Sequence, residues 1–424
     1  MKEVLSKLSV LIVLAALAGA CCTTQYVEYK TQVYQPVYKK ADEIRNGVKV
    51  TGARQLKNTG KIYVYDKYIL VNERKTGIHI IDNSNPSAPN ILGFIEIPGN
   101  GDMAVRNGIL YADSYIDMVA IDITNPGQPV LVKRIENIFP ESLDASSGFI
   151  DHEKGILVEV TVKDTIIKYS YKDCGDGGYV NAPMTDGREF GNGGVIKDAS
   201  GSNGNTNGIG GSMARFTIFD NYLYAVDRSN LQIFDISSAT NPKVWSKFNI
   251  GWNIETIYPF KDKLFIGSMT GMFIYDVSTP WNPSLLGQFQ HARACDPVVA
   301  NDNYAYVTVR TGTGCGGNLN QLDVLDISNI THPRLIKSYP MQEPAGLGLD
   351  KNVLFICDGP AGLKVFDVTK PEEIQLLDWQ SDIKTFDVIP LGYSLLMIGA
   401  DGFYQYDYSN PKSLKLLSMI PIVK

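Results

Sequence analysis

Histidine and cysteine are scarce in this chain, and the short motifs that place them in metal or catalytic sites are missing. The 424 residues include four histidines and six cysteines, with no CxxC spacing, so a tetrahedral zinc site is not indicated. Neither Gly-x-Ser-x-Gly nor Gly-Lys-Ser/Thr occurs, which disfavours a nucleophile elbow and a phosphate-binding loop. We therefore predict no metal and no cofactor, and no catalytic set stands out.

Concentrated positive charge and long apolar runs are also lacking. The net charge is −6, with charged residues at 20% of the chain and no basic stripe, so nucleic-acid binding is disfavoured. The longest notable apolar run lies at residues 9–20, which is too short for a mature membrane-spanning helix. It follows Lys2 and Lys7, as in a targeting segment.

The end of this run predicts a lipid anchor. Small residues precede Cys21, and the pattern resembles a bacterial lipobox, with Cys22 as an alternative site. We expect a signal peptide over 1–20, lipid on Cys21, and a flexible, lipid-anchored tether over 21–58. The expected location is the bacterial cell envelope, at the outer membrane. An ordinary secretory signal is the other interpretation.

A short strand that ends in aspartate recurs along the rest of the chain. Most steps between these marker aspartates are 40 or 41 residues, which matches the period of about 40–45 for a four-stranded propeller blade. One step of 113 residues indicates two periods plus an insertion at about 173–212, with a degenerate copy over 155–171. The marker aspartates are Asp82, Asp122, Asp235, Asp276, Asp326, Asp367 and Asp407.

These spacings predict an all-β chain with one eight-bladed β-propeller over 59–424. The alternative is a seven-bladed ring in which the degenerate copy is an excursion. Closure needs either no exchanged strand or the addition of residues 48–51 to an edge, because an open ring would expose unpaired strand edges.

The repeated segments resemble LVIVD repeats. Gly77–Asn83 and Ile97–Ala104 carry the resemblance, and they are similar to segments of exported lipoproteins of the Bacteroidetes type. The resemblance implies a β-propeller repeat protein at the cell envelope. Because that family has no assigned reaction, the resemblance implies no catalytic residue.

Propeller geometry predicts that charged residues meet at one face of the ring. In such a ring, the first strands begin and the second strands end at the same face. That face could bind a cation, a polar sugar or a peptide, or its residues could satisfy loop backbones on a solvated rim. The candidates are Asp102, Asp113, Arg215, Asp227, Glu255, Asp296, Arg310, Glu343 and Asp358.

Two cysteines and a glycine-rich segment map to the same face. Cys295 and Cys315 are predicted to lie in one blade, and an exported protein permits a disulfide between them, although Cys357 competes as a partner. The segment 199–212 is rich in Gly, Ser and Asn. It is expected to be a flap over the face or a slack insertion.

Three functions remain open on this basis. The first is a membrane-anchored, non-enzymatic scaffold that binds a protein, peptide or glycan through the polar face. The second is a glycan- or peptide-processing hydrolase or lyase that uses two carboxylates of that face as acid and base. The third is a structural element of the envelope.

Overall fold

The chain is β-rich throughout the part that the structure describes. In this computed structural model, the described residues form 33 strands, one short α-helix and two single-turn 3-10 helices. None of their helices is long and apolar enough to cross a bilayer. The described residues are 23–139, 150–151, 153–173, 208–251, 253–290, 297–310 and 319–423.

The chain divides into two compact units. Unit 1 combines Met1–Val37 with Glu159–Phe190, and unit 2 combines Tyr38–Val158 with Gly191–Lys424. The division separates part of the predicted tether and part of the degenerate copy from the other repeats.

Two long strands form most of the described part of unit 1. Strand β1 (Thr23–Lys39) pairs with β12 (Gly155–Asp173). The two-residue strand β11 (Ile150–Asp151), which belongs to unit 2, pairs with the first two residues of β12. Within unit 1, the side-chain amide of Gln32 donates to Asp164 at 3.1 Å. Most side chains on this ribbon are exposed.

The described part of unit 2 contains seven antiparallel sheets with the same four-strand order, here called sheets 1 to 7 in chain order. Each strand pairs with the next one in sequence. Sheet 1 contains β3 (Thr59–Tyr65), β4 (Tyr68–Glu73), β5 (Gly77–Asp82) and β6 (Asn90–Glu96), and sheet 2 contains β7 (Met103–Arg106), β8 (Ile109–Ser114), β9 (Asp117–Asp122) and β10 (Val130–Ile135). Sheet 3 contains β14 (Phe216–Phe219), β15 (Tyr222–Val226), β16 (Asn230–Asp235) and β17 (Lys243–Asn249), and sheet 4 contains β18 (Ile254–Phe260), β19 (Lys263–Ser268), β20 (Gly271–Asp276) and β21 (Ser284–Gln290).

The remaining three sheets follow the same order. Sheet 5 contains β22 (Val298–Ala300), β23 (Tyr304–Val309), β24 (Gln321–Asp326) and β25 (Arg334–Pro340). Sheet 6 contains β26 (Leu347–Asp350), β27 (Val353–Cys357), β28 (Leu363–Asp367) and β29 (Gln375–Gln380), with 3-10 turns at Gly359–Ala361 and Pro371–Glu373. Sheet 7 contains β30 (Thr385–Pro390), β31 (Ser394–Gly399), β32 (Gly402–Asp407) and β33 (Lys415–Pro421).

The expected all-β architecture of propeller-like repeats is confirmed, but the count of eight blades is not. The degenerate copy over 155–171 belongs to β12 of the ribbon, and the seven described sheets agree with the alternative count. The reason is visible in the residues. Asp173 lacks a Ser or Thr two positions later, and the strand before it is mostly exposed, so it has neither the turn nor the burial of the third strands of the seven sheets.

The marker aspartates explain why the repeat has its sequence. In each of the seven sheets, the marker carboxylate accepts the backbone N–H of the residue two positions later, at 2.7–3.0 Å. This local bond competes with continuation of the strand and turns the chain. The hydroxyl of the Ser or Thr two positions later, with its backbone N–H as a smaller cause, holds the pKa of each marker carboxyl below the usual range. The aspartates that mark the repeat are therefore turn formers.

The first strands of the seven sheets follow one another in a cycle. Contacts connect β3 to β7, β7 to β14, and so on through β18, β22, β26 and β30, and β30 contacts β3 again. Hydrophobic side chains fill the spaces between neighbouring sheets.

The two ends of the repeat region meet between sheets 7 and 1. The Gln405 amide donates to Asn83 at 2.7 Å, and the Ser418 hydroxyl donates to the carbonyl of Pro86 at 2.6 Å. Leu56 also forms a parallel bridge with Ile422. Contacts between distant parts of the sequence therefore join the last sheet to the first.

The segment before sheet 1 contains a short strand and a short helix in its described part. Strand β2 (Lys49–Gly52) adds to the outer edge of sheet 1 by pairing with β6, as one of the two closure schemes expects. The helix α1 (Ala41–Arg45) buries Ile44, and Arg45 donates to Asp117 of sheet 2 through Nε at 2.8 Å. Residues 38–58 are thus part of unit 2.

Candidate functional site

Asp102 lies where sheets 1, 2 and 3 meet, and its carboxylate connects all three. One oxygen accepts the N–H of Met103 at 2.7 Å. The other accepts the N–H of Phe216 at 2.9 Å and that of Arg215, and it lies 3.0 Å from the ammonium group of Lys61. Asp102 is 2% exposed. Its carboxylate is therefore committed to contacts within the protein.

Asp113 occupies the same junction and organises the loop before β7. Its Oδ1 accepts the N–H groups of Asp102 at 2.7 Å and Gly101 at 2.9 Å, and the side-chain amide of Asn100 at 2.9 Å. Burial raises the pKa of Asp113 to about 7, with a smaller upward effect of the Asp102 charge, while the backbone donors oppose the rise. Asp102 and Asp113 form a buried structural pair.

Asp227 hydrogen-bonds within one loop. It accepts the N–H groups of Ser229 at 2.8 Å and Asn230 at 2.9 Å. Its carboxylate also lies 3.4 Å from the ammonium group of Lys247. This buried carboxylate therefore holds the turn between the second and third strands of sheet 3.

Asp358 has the same kind of role in sheet 6. It accepts the N–H groups of Gln342 at 2.8 Å and Glu343 at 2.9 Å. Lys364 pairs with it at 2.6 Å, and Asp358 itself is fully buried. The carboxylate ties the loop before β26 to the turn after β27.

The other described candidates differ in exposure. Arg215 is buried and donates through Nε to the backbone oxygen of Glu255 at 3.2 Å, and Glu255 is 9% exposed. Arg310 is half-buried after β23. The side chain of Glu343 is 42% exposed and lies 3.9 Å from the ammonium group of Lys384, which is 50% exposed. Among the described candidate carboxylates, Glu343 is therefore the accessible one.

Several predicted residues lie outside the described part of the chain. They include Asp296, the lipidation candidates Cys21 and Cys22, and both cysteines of the predicted disulfide, Cys295 and Cys315. Cys357 is described and is buried at the end of β27. No group of three or more potential metal-ligating side chains occurs among the residues that the structure describes.

Sheet 1 carries a charged cluster that the sequence pattern did not predict. Glu73 accepts Arg54 Nη2 at 2.6 Å and lies 3.0 Å from His79 Nε2. The guanidinium group of Arg54 stacks on Phe94, 3.5 Å from the ring centroid. Burial lowers the pKa of His79, against the raising effect of Glu73. The cluster fixes the segment before sheet 1 onto that sheet.

The segment Gly208–Arg215, here called the axial segment, runs along the first strands of several sheets. The N–H of Gly208 donates to Val105 of β7 at 3.0 Å, and β13 (Ile209–Gly210) pairs with β3. The sequence predicts a flap or slack insertion over 199–212. The described end of that stretch is instead almost entirely buried.

The axial segment also reaches sheets 4, 6 and 7. The Ser212 hydroxyl accepts the N–H of Leu347 in β26 at 2.6 Å, and the carbonyl of Ala214 accepts the N–H of Ile257 in β18 at 2.8 Å. Gly211 lies against the carboxylate of Asp387 in β30. The density of small residues in this stretch was the one sequence signal of such close approach.

Four segments of the chain match the LVIVD repeat. They cover residues 57–95, 101–136, 210–249 and 292–340, which correspond to sheets 1, 2, 3 and 5. The predicted LVIVD repeats are thus confirmed in these segments. Sheets 4, 6 and 7 have the same strand order. No curated protein matches the sequence.

Solved structures with a similar fold share little sequence with this chain. The computationally designed Ika8 protein matches with a TM-score of 0.50 at 9% identity, over 87% of this chain and 90% of that one. Sqt1 from Saccharomyces cerevisiae has a TM-score of 0.49 at 6% identity, over 87% and 88% of the two chains. A functionally unknown protein from Desulfotomaculum acetoxidans DSM 771 has a TM-score of 0.47 at 11% identity, over 85% and 95%. The likeness concerns the fold alone.

Proposed function

We propose that this protein is a non-enzymatic interaction scaffold whose repeats form one closed, seven-bladed β-propeller. Three observations support closure: the cyclic order of contacts between first strands, the bridge between Leu56 and Ile422, and the hydrogen bonds from sheet 7 to sheet 1. Closure also buries the facing hydrophobic side chains of sheets 7 and 1 against each other.

The candidate carboxylates favour a scaffold over an enzyme, because most of them already bind groups of the protein itself. Asp102, Asp113, Asp227 and Asp358 are buried and accept hydrogen bonds from backbone or lysine groups of the protein itself. A general acid or base must come within hydrogen-bond reach of a substrate, and these four carboxylates are already hydrogen-bonded inside the protein. The charged groups that remain accessible, such as Glu343, suit contacts with a partner surface.

We place the partner contact at the exposed pair formed by Glu343 and Lys384. These side chains lie 3.9 Å apart, at the ends of neighbouring sheets 6 and 7. Exposed charges of this kind contribute mainly to specificity and to the rate of association. The partner is therefore expected to be a protein segment, peptide or glycan that presents a positive charge or a hydrogen-bond donor to Glu343.

Charge reversal tests the interaction function. Purified wild-type protein and Glu343→Lys are applied to peptide and glycan arrays, with Lys370→Glu as a matched control on an exposed side chain of the marker turn in sheet 6. We expect a ligand of the wild type to bind Glu343→Lys several-fold more weakly and the control equally. Equal binding by all three proteins would exclude the Glu343–Lys384 pair as the contact site. Turnover of an array substrate that Glu343→Gln abolishes would instead establish a hydrolase or lyase.

The proposal includes export and lipid anchoring at Cys21 in the bacterial cell envelope. The support is the sequence pattern at 1–21. In cells, Cys21→Ala should move the protein from the membrane fraction to the soluble fraction and abolish incorporation of a labelled fatty acid, while Cys22→Ala should change neither. A membrane-bound and labelled Cys21→Ala protein would contradict this anchor.

A further inference from the structure

We propose that the axis of the ring is a binding groove for an extended peptide and that the axial segment, Gly208–Arg215, fills it in cis. The groove selects a strand-like backbone that has no side chain at two positions. This assigns the ring axis to a segment of the chain itself and removes it as a site for an external ligand.

Strand addition supplies the backbone part of this recognition. The four-strand order leaves the axial edge of a first strand without a partner, and such an edge pairs readily with an added strand. In sheet 1, β13 takes this position, where Ile209 is opposite Val64 and Gly210 is opposite Tyr63. The N–H of Gly208 adds a bond to Val105 in the next sheet. These main-chain bonds hold the start of the segment to two sheets.

The two glycines at positions 208 and 211 are required by space. A Cβ atom on Gly208 would lie 2.1 Å from Cε1 of Tyr63, and one on Gly211 would lie 1.9 Å from Oδ2 of Asp387. Neither glycine has a left-handed φ angle, so it is the closeness of the neighbouring groups that excludes a side chain. The groove therefore discriminates against any other residue at these two positions.

Polar contacts fix the register of the segment and its exit. The hydroxyl of Ser212 accepts the N–H of Leu347, and the carbonyl of Ala214 accepts the N–H of Ile257. Asp102 then receives the N–H of Phe216, where the chain enters β14. The ligand class is accordingly an extended peptide with the pattern Gly-x-x-Gly-Ser.

Peptide binding in trans tests the proposal. The probe is a fluorescent peptide with the sequence of residues 208–215, and the protein is the full chain with Gly208→Val and Gly211→Val together. A covalently attached segment competes at an effective concentration of about millimolar, so the wild type should not bind micromolar peptide. We expect the double variant to bind it at least about tenfold more tightly than the wild type. A peptide with valine at both glycine positions should not bind.

A matched control and a milder variant complete the test. Gly52→Val, at a glycine with nothing within 4 Å of its Cβ position, should leave the groove filled and bind no peptide. In Ser212→Ala, hydrogen exchange at the Leu347 amide should accelerate about tenfold, in line with the loss of one hydrogen bond. A folded double variant that ignores the peptide would overturn the proposal, and so would unchanged exchange at Leu347.

Discussion

Removing the carboxylate charge of Asp102 should destabilise the junction of sheets 1, 2 and 3 more than any local loop change. In Asp102→Asn, Lys61 loses its carboxylate partner at 3.0 Å. The N–H groups of Met103 and Phe216 lose a charged acceptor. Breaking a buried ion pair by changing one partner typically costs about 3–5 kcal/mol. We expect a loss of this size in the free energy of unfolding.

The assay is thermal unfolding of purified wild-type and variant proteins at neutral pH. Because unfolding entropy grows with chain length, a loss of this size should lower Tm by about 5 °C in a unit this large. Asp227→Asn is the matched control, since this equally buried carboxylate holds only its own turn and the partly exposed Lys247. Its expected cost is about 1–2 kcal/mol.

The comparison between the two variants decides the argument. A Tm for Asp102→Asn equal to that of the wild type, or to that of Asp227→Asn, would show that the connection between sheets contributes nothing beyond a local turn. The role assigned to Asp102 would then be wrong.

Two further predictions concern the same unit. Because burial raises the pKa of Asp113 to about 7, above the unfolded value of about 3.9, its protonated form favours folding. That contribution is complete below about pH 4 and is lost as pH rises through 7. Between pH 5 and pH 8 the free energy of unfolding of the wild type, followed through Tm, should therefore fall by roughly 2.5 kcal/mol more than that of Asp113→Asn. Arg45→Ala should release helix α1 from sheet 2, while sheet 2 itself stays folded because Asp117 keeps its ion pair with Arg134 at 3.0 Å. Faster hydrogen exchange confined to residues 41–52 would confirm that Arg45 holds the helix to the sheet. Unchanged exchange would refute this role of Arg45.

The marker turns illustrate what could be predicted from the sequence. Asp326 and Ser328 lie two positions apart, and their hydrogen bond depends only on local geometry. The same pattern recurs with the same result in every one of the seven sheets. Strand order and the repeat period follow from such local rules, since turn chemistry and strand preference act over a few residues.

The roles of the candidate site residues could not be predicted in this way. The sequence shows Asp102 only as a charged residue at the start of a strand. Its hydrogen-bond donor Phe216 is 114 positions away. Burial and that distant backbone donor decide that the carboxylate holds sheets together. The nine candidates were placed by repeat register, which fixes a position in the sheet but not what covers the side chain.

By itself, the sequence determined the all-β repeat and the turn that ends each third strand, because both depend on residues close together in the chain. Only the tertiary structure decided that 155–173 pairs with β1 and that Gly208–Arg215 lies along the first strands of several sheets. These outcomes depend on which surfaces remain open once the sheets assemble. A glycine-rich stretch carries no record of the carboxylate or tyrosine that will come to lie against it.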